Sequence, residues 1–264
     1  MVEYGGIQYD IQDSTQLISS AEKYKKSKPE MLASRSLPND STRSAGWSYL
    51  SGTEKEVDDI AKLLQQDKVP YIKYAGVEAN EESFKALSGN SPELLHIATH
   101  GFFLEDEKQI RETGFMQMMN SQNRTYINPL LRSGLLFAGA NRAWTNQDVI
   151  SGIEDGILTA EEISNLDLSK TKLAVLSACE TGLGEVNNSE GVFGLQRAFK
   201  LAGVETLVMS LWKVDDTATS QFMLAFYQNL LAGKSKLESF KIAQKQIREQ
   251  YKNPYYWAAF VMMD

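Results

Sequence analysis

Cys179 is the only cysteine in 264 residues, and His96 and His100 are the only histidines, so nucleophilic chemistry here draws on a very short list of groups. A thiol is mostly protonated at neutral pH, and an imidazole beside it can take its proton or hold the thiolate as an ion pair. The apolar run LLHIA (94–98) leads into Thr99-His100-Gly101, and KLAVLSA (172–178) leads into Cys179-Glu180-Thr181-Gly182. Histidine and cysteine therefore fall at equivalent ends of two apolar segments, which points to a His100–Cys179 dyad. Gly101 leaves a backbone N–H able to approach a substrate carbonyl closely, and with the Cys179 N–H it would form an oxyanion hole. A lone cysteine is more often a small core residue, but Cys179 lies beyond the apolar run. His96, flanked by aliphatic residues, reads instead as a core histidine with its hydrogen bonds satisfied. Two histidines are too few for a zinc cluster without carboxylate help, and one cysteine forms no internal disulfide. The dyad needs neither metal nor cofactor.

The elements that must position these groups alternate along the chain. Thr53 and Glu56 form a capping box ahead of a helix over 53–66, which ends before the strand candidate VPYIKYA, and a second helix covers about 80–88. LLHIA and LLFAGA (135–140) have the character of strands buried on both faces of a parallel sheet, with a long polar insertion, 104–133, between them. Thr159 and Glu162 cap a short helix, KLAVLSA is a strand, and a helix over 190–202 ends at Gly203. The strand ETLVMSLW (205–212), helices near 216–231 and 235–251, and a terminal strand YYWAAFVMM (255–263) complete the pattern. Strands alternating with helices imply a three-layer α/β domain with a mostly parallel sheet, whose site lies beyond the carboxyl ends of the strands. Residues 1–45 read differently: one short strand, a weak helix carrying Lys23, Lys25, Lys26 and Lys28 on a solvated face, then the turn-rich run ASRSLPNDSTRSAG. They are expected to be the tail of a preceding region, with the domain proper spanning 46–264.

Composition narrows the partners. With 27 Lys+Arg against 34 Asp+Glu the chain carries −7 and a pI near 5.1, the wrong sign for binding nucleic acid by counterion release. No apolar run approaches the roughly 20 residues a bilayer requires, and MVEYGGIQYD has neither the basic flank nor the apolar core of a secretory signal. A cytosolic protein without membrane contact is expected.

Several segments in order, HIATHGFF (96–103), DGILTAEEI (155–163), LAVLSACETGLGE (173–185), EGVFGLQRAFKLAGVETLVMSLWKVDDTAT (190–219), AFYQNLLAGKS (225–235) and NPYYWAAFVM (253–262), resemble the CHAT domain, a caspase-like family often found behind tetratricopeptide repeats. The resemblance spans about residues 46–263. It implies a caspase-hemoglobinase-like fold and a cysteine endopeptidase acting on protein substrates through His100 and Cys179, with Gly101 at the oxyanion position. It also implies restraint by a repeat domain, a sensor or an activator protein. The histidine–cysteine spacing of 79 and the Ser177-Ala178-Cys179 context differ from true caspases, so aspartate specificity does not carry over. In caspase-like folds the first substrate pocket is lined by the residue two before the cysteine, here Ser177, and by a loop that here reads LWKVDDTAT. That loop is similar to the LWxVTDxD segment of separases, which cleave after arginine. Asp216 matches its acid, Asp215 lies beside it, and Trp212 is placed to wall the pocket. A carboxylate there would favour Arg or Lys by charge pairing. The six acids between Asp148 and Ser169, with no Lys or Arg, would make the surrounding field negative. Against this, Asp215 or Asp216 also suits the N-cap of the helix that follows. Two other functions fit the same residues, a non-catalytic caspase-like interaction module and a cysteine hydrolase of small molecules. Retention of both His100 and Cys179 favours the peptidase over the module.

Overall fold

The computed structural model describes residues 1–11, 13–24, 46–104, 129–177, 190–212 and 214–264. VEYGGI is small or apolar everywhere except Glu3, and it forms β1 (Val2–Ile7), a strand buried at every position. Five more strands join it: β2 (Ile72–Gly76), β3 (Leu94–Ala98), β7 (Leu173–Ser177), β8 (Thr206–Ser210) and β9 (Phe260–Met263). Their order is β2-β1-β3-β7-β8-β9, parallel throughout except for β9 at one edge. The first residues of the expected tail thus occupy an interior place in the sheet, and α1 (Ser14–Glu22), capped by Asp13, packs Leu17 and Ala21 into the core. The short strand expected here exists, but a run of six residues does not show from its sequence which strands it will pair with. The expected basic face lies mostly outside the described residues, and Lys23 pairs with Glu78 at 2.6 Å.

Side chains alternate across the sheet. One face, carrying Leu173, Val175 and Val208, is covered by α2 (Ser51–Gln66), α7 (Asp216–Leu231) and α8 (Lys236–Gln250). Ile60 and Leu64 of α2 meet Phe222 and Phe226 of α7 there without solvent contact, each such side chain contributing about 1.5–3 kcal/mol by burial. The other face, carrying Leu95, Ile97, Leu176 and Leu207, is covered by α1, α3 (Glu81–Lys85), α5 (Ala160–Ser164) and α6 (Glu190–Leu201). A short α4 (Ala140–Trp144) adds Trp144 to this core. The described residues therefore build a three-layer α/β domain on a mostly parallel sheet.

Two expectations change. LLFAGA does not join the parallel sheet: β5 (Ser133–Leu136) is the middle of an antiparallel sheet with β4 (Gly101–Phe103) and β6 (Ile157–Thr159). A short apolar run has no signature of strand direction, and the chain re-enters here on the far side of its insertion, of which 105–128 lie outside the described residues. Thr53 and Glu56 do not cap α2. The helix starts earlier, at Ser51, with no side-chain cap, and Thr53 Oγ1 donates to the Leu50 carbonyl and accepts the Gly6 N–H. Thr159 and Glu162 do form a capping box on α5.

Gly5 sets how closely α2 approaches the sheet. A Cβ there would lie 2.6 Å from Val57 and 2.8 Å from the Thr53 carbonyl, so only glycine lets the helix lie directly on β1. That contact brings Glu56 down onto the strands.

Candidate active site

β3 ends at Ala98 and the chain turns through Thr99 and His100 into β4. Thr99 Oγ1 donates to the Leu136 carbonyl of β5, so the Tyr9 hydroxyl must donate to Thr99 Oγ1, at 2.9 Å, and it accepts the His100 N–H at 3.3 Å. The result is a directed chain from the His100 amide to β5. On the imidazole itself, Nε2 lies 2.8 Å from the Ser48 carbonyl. A carbonyl only accepts, so Nε2 carries the proton and, in the neutral ring, Nδ1 is the basic nitrogen. The ring lies between Tyr9 and Trp47, with centroids 4.9 and 4.7 Å away, and is only 2% exposed. Trp47 is fixed by a two-way clasp: its backbone N–H donates to Asn141 Oδ1 and its backbone carbonyl accepts from Asn141 Nδ2.

Next to His100 a cavity opens between β3, β7, α2 and α7, lined by Leu50, Gly52, Glu56, Ser177, Val214 and Asp216, with Thr53, Thr99 and Thr219 between them. Ser177, the last residue of β7, donates to Glu56 Oε2 at 3.0 Å. Cys179 and Glu180 lie outside the described residues; the sequence puts Cys179 two residues past Ser177. Gly101 pairs with Leu135 at the start of the antiparallel ladder, and just before it the Leu136 N–H donates to the His100 carbonyl. Antiparallel pairs alternate, so the Gly101 N–H points away from β5.

His96 is the satisfied core histidine expected: Nε2 is 2.8 Å from Glu56 Oε1 and Nδ1 is 3.1 Å from the Tyr227 hydroxyl. Burial holds the Tyr227 phenol far above its ordinary range, so it stays protonated and can donate to Nδ1. Glu3, paired with His96 across β1 and β3, is fully buried, and neither oxygen has a hydrogen-bond partner among the described residues. Burial pushes its carboxyl up to about 8.

The family model of the CHAT domain matches residues 3–264. The chain belongs to the CHAT domain family. Two curated proteins match part of this CHAT domain: tetratricopeptide repeat protein 28 of Mus musculus, 35% identical over 109 residues, and that of Homo sapiens, 32% identical over 113. The matches cover 40% and 42% of the chain and 4% of either relative, so the CHAT domain spans a small fraction of those proteins. Among solved structures, the Arg specific cysteine proteinase gingipain R aligns with 96% of this chain and 52% of its own at 10% identity and a TM-score of 0.48.

Of the residues singled out from sequence, the CHAT domain brings His100, Ser177 and Asp216 to one cavity. Asp215 is the N-cap of α7, accepting from the Thr217 and Ala218 N–H groups at 3.0 and 3.1 Å. Asp216 turns the other way, and its carboxylate rests on Gly52, where a Cβ would lie 2.7 Å from Oδ2. Trp212 is half-buried against the α7–α8 core with its N–H on the Tyr255 carbonyl, and it is not among the cavity's described lining residues. The six acids of 148–169 do not line the cavity either; Glu154 and Glu162 turn to Lys85. Together with Glu81 these two are the only described carboxylates spaced to hold a metal ion, but the Lys85 ammonium already lies among them at 2.6–3.1 Å.

Sequence reasoning missed Tyr9, Trp47, Ser48 and Glu56. Glu56 did leave a trace: it falls on the stripe of Thr53, Val57, Ile60 and Leu64 that α2 buries, where a carboxylate needs a reason. Ser48 left none, since it acts through its carbonyl. No helix among the described residues is long and apolar enough to cross a membrane.

Proposed function

We propose that this CHAT domain is a cysteine endopeptidase. Cys179 attacks the scissile carbonyl, His100 Nδ1 takes the thiol proton and returns it to the leaving amine, and the Gly101 and Cys179 N–H groups hold the oxyanion. The observation that carries this reading is the buried His100 ring, locked by the Ser48 carbonyl in the tautomer whose basic nitrogen is Nδ1, beside a cavity at the carboxyl ends of β3 and β7. The Ser48 carbonyl does for this histidine what a carboxylate does in a triad: it fixes the tautomer and steadies the imidazolium once the proton arrives. A buried ring between Tyr9 and Trp47 loses little freedom when substrate binds.

Asp216 at the cavity mouth supports a basic residue before the cleaved bond. The names of the relatives support control by a tetratricopeptide repeat region or by a protein that acts through one. The test is a proteome-derived peptide library digested with this chain and with Cys179→Ala, reading new termini by mass spectrometry. Cuts after Arg or Lys that vanish in Cys179→Ala are expected. Cuts after other residues would remove the basic pocket. Absence of cysteine-dependent cuts, also when a tetratricopeptide repeat region is supplied, would leave an interaction module.

A further inference from the structure

The cavity beside His100 holds more negative charge than Asp216 alone supplies. Glu56 lies deep in it, 3% exposed, while Asp216 is exposed at its mouth. The two Glu56 oxygens offer about four acceptor sites, and His96 and Ser177 occupy two of them. No Lys or Arg is among the cavity's described lining residues, whereas Leu50 and Val214 give it apolar walls. Apolar walls leading to a fixed carboxylate suit a long side chain with an aliphatic stem and a cationic end.

We propose that Glu56 is the specificity-determining residue of this cavity, a buried carboxylate that receives the guanidinium or ammonium of the substrate's Arg or Lys, held in place by His96 and Ser177. As a peptide subsite this rests on the peptidase reading; as a cation site it does not. His96 is in turn held by Tyr227, so Glu56 is oriented before any ligand arrives and little reorganisation is needed on binding. Asp216 then acts at the entrance, and Glu56 at the end of the pocket.

The test uses the chain carrying Cys179→Ala, so that binding is read without turnover, and titrates it with butylguanidinium and with its uncharged isostere butylurea by calorimetry. Butylguanidinium is expected to bind more tightly than butylurea, and Glu56→Gln to weaken it about tenfold or more while leaving butylurea unchanged. Equal binding of the two probes, or butylguanidinium binding that survives Glu56→Gln, overturns the proposal. Should Glu56→Gln lose its thermal transition, Thr219→Lys places an ammonium in the same cavity and is expected to exclude butylguanidinium; binding that persists then refutes the assignment. With the active chain, Glu56→Gln is expected to lower kcat/KM for Arg before the cleaved bond and to spare uncharged residues there. An equal loss for both would mean a structural role. Selective butylguanidinium binding without cysteine-dependent cleavage, also with a tetratricopeptide repeat region supplied, would uphold the cation site and sink the peptidase.

Discussion

Two acid-rich regions lie on either side of this domain and are solved in opposite ways. Around α3, Glu81, Glu154 and Glu162 converge on the Lys85 ammonium, so the chain supplies its own cation, and burial pushes Asp155 beside them up to about 6. Around the cavity, Glu56 and Asp216 face a space with no Lys or Arg among its described lining, and the groups that hold Glu56 are a histidine, a serine and behind them a phenol. A carboxylate cluster closed by an internal lysine is complete as folded. One tethered only by hydrogen-bond donors keeps its charge available to a ligand, and spacing of acids alone does not separate the two cases.

The largest expected effect comes from opening the closed cluster. Lys85→Met leaves three carboxylates facing one another, with Glu81 almost fully buried, and should cost about 3–5 kcal/mol. For a domain of this size that is a fall in Tm of roughly 10 °C. Adding Glu81→Gln should recover part of the loss, because it removes the most buried of the unpaired acids. Thermal melts at neutral pH check both, and a loss in Lys85→Met of under about 1 kcal/mol would mean the cluster is not held by its lysine.

Glu3 bears on the open side, since it lies beside His96 and behind Glu56. Facing it are Lys73 and the N-terminus as cations, Asp58 and Glu56 as anions, and Tyr227, which stays neutral. Its folded carboxyl titrates near 8 against an ordinary 4.5, so the native state keeps a proton that the unfolded chain releases. The stability tied to that proton is complete below pH 4.5 and is lost as pH rises through 8. Between pH 5 and 8.5 the drop is expected to be on the order of 3 kcal/mol, and Glu3→Gln should flatten it. Melts of both proteins across that range decide the point; parallel curves would mean Glu3 is already ionised in the fold.

Much of this arrangement was readable from residue order. LLHIA is β3 residue for residue, Asp216–Leu231 is the helix expected, and the α/β alternation correctly placed His100 at a strand's carboxyl end. What stayed hidden acts across long sequence separations or through the backbone. Tyr9 reaches Thr99 and His100 from 90 positions away, the Ser48 carbonyl has no side-chain signature, and the short strand expected near the start shows nothing in its residues of the interior place it takes between β2 and β3. Glu56 was visible but misassigned, because Thr53 three residues earlier makes the same pattern as a helix cap. A local rule fitted, and the tertiary contact with His96 won.

The smallest effects separate the neighbouring acids of α7. Asp215→Ala removes two hydrogen bonds at the helix start and should cost about 1 kcal/mol, seen in Tm and not in the choice of ligand. Asp216→Asn touches no cap and should change stability by less than about 0.5 kcal/mol. Its charge is exposed, so its pull on a bound guanidinium, roughly 1 kcal/mol at 4 Å in water, should weaken butylguanidinium binding no more than about fivefold. That loss should also shrink as salt is raised, because exposed charges are screened while buried ones are screened much less. Glu56→Gln should lose more, and by the same factor at low and high salt. If Asp216→Asn instead causes the larger and salt-insensitive loss, the order of the two acids is reversed and the cation stops at the cavity mouth.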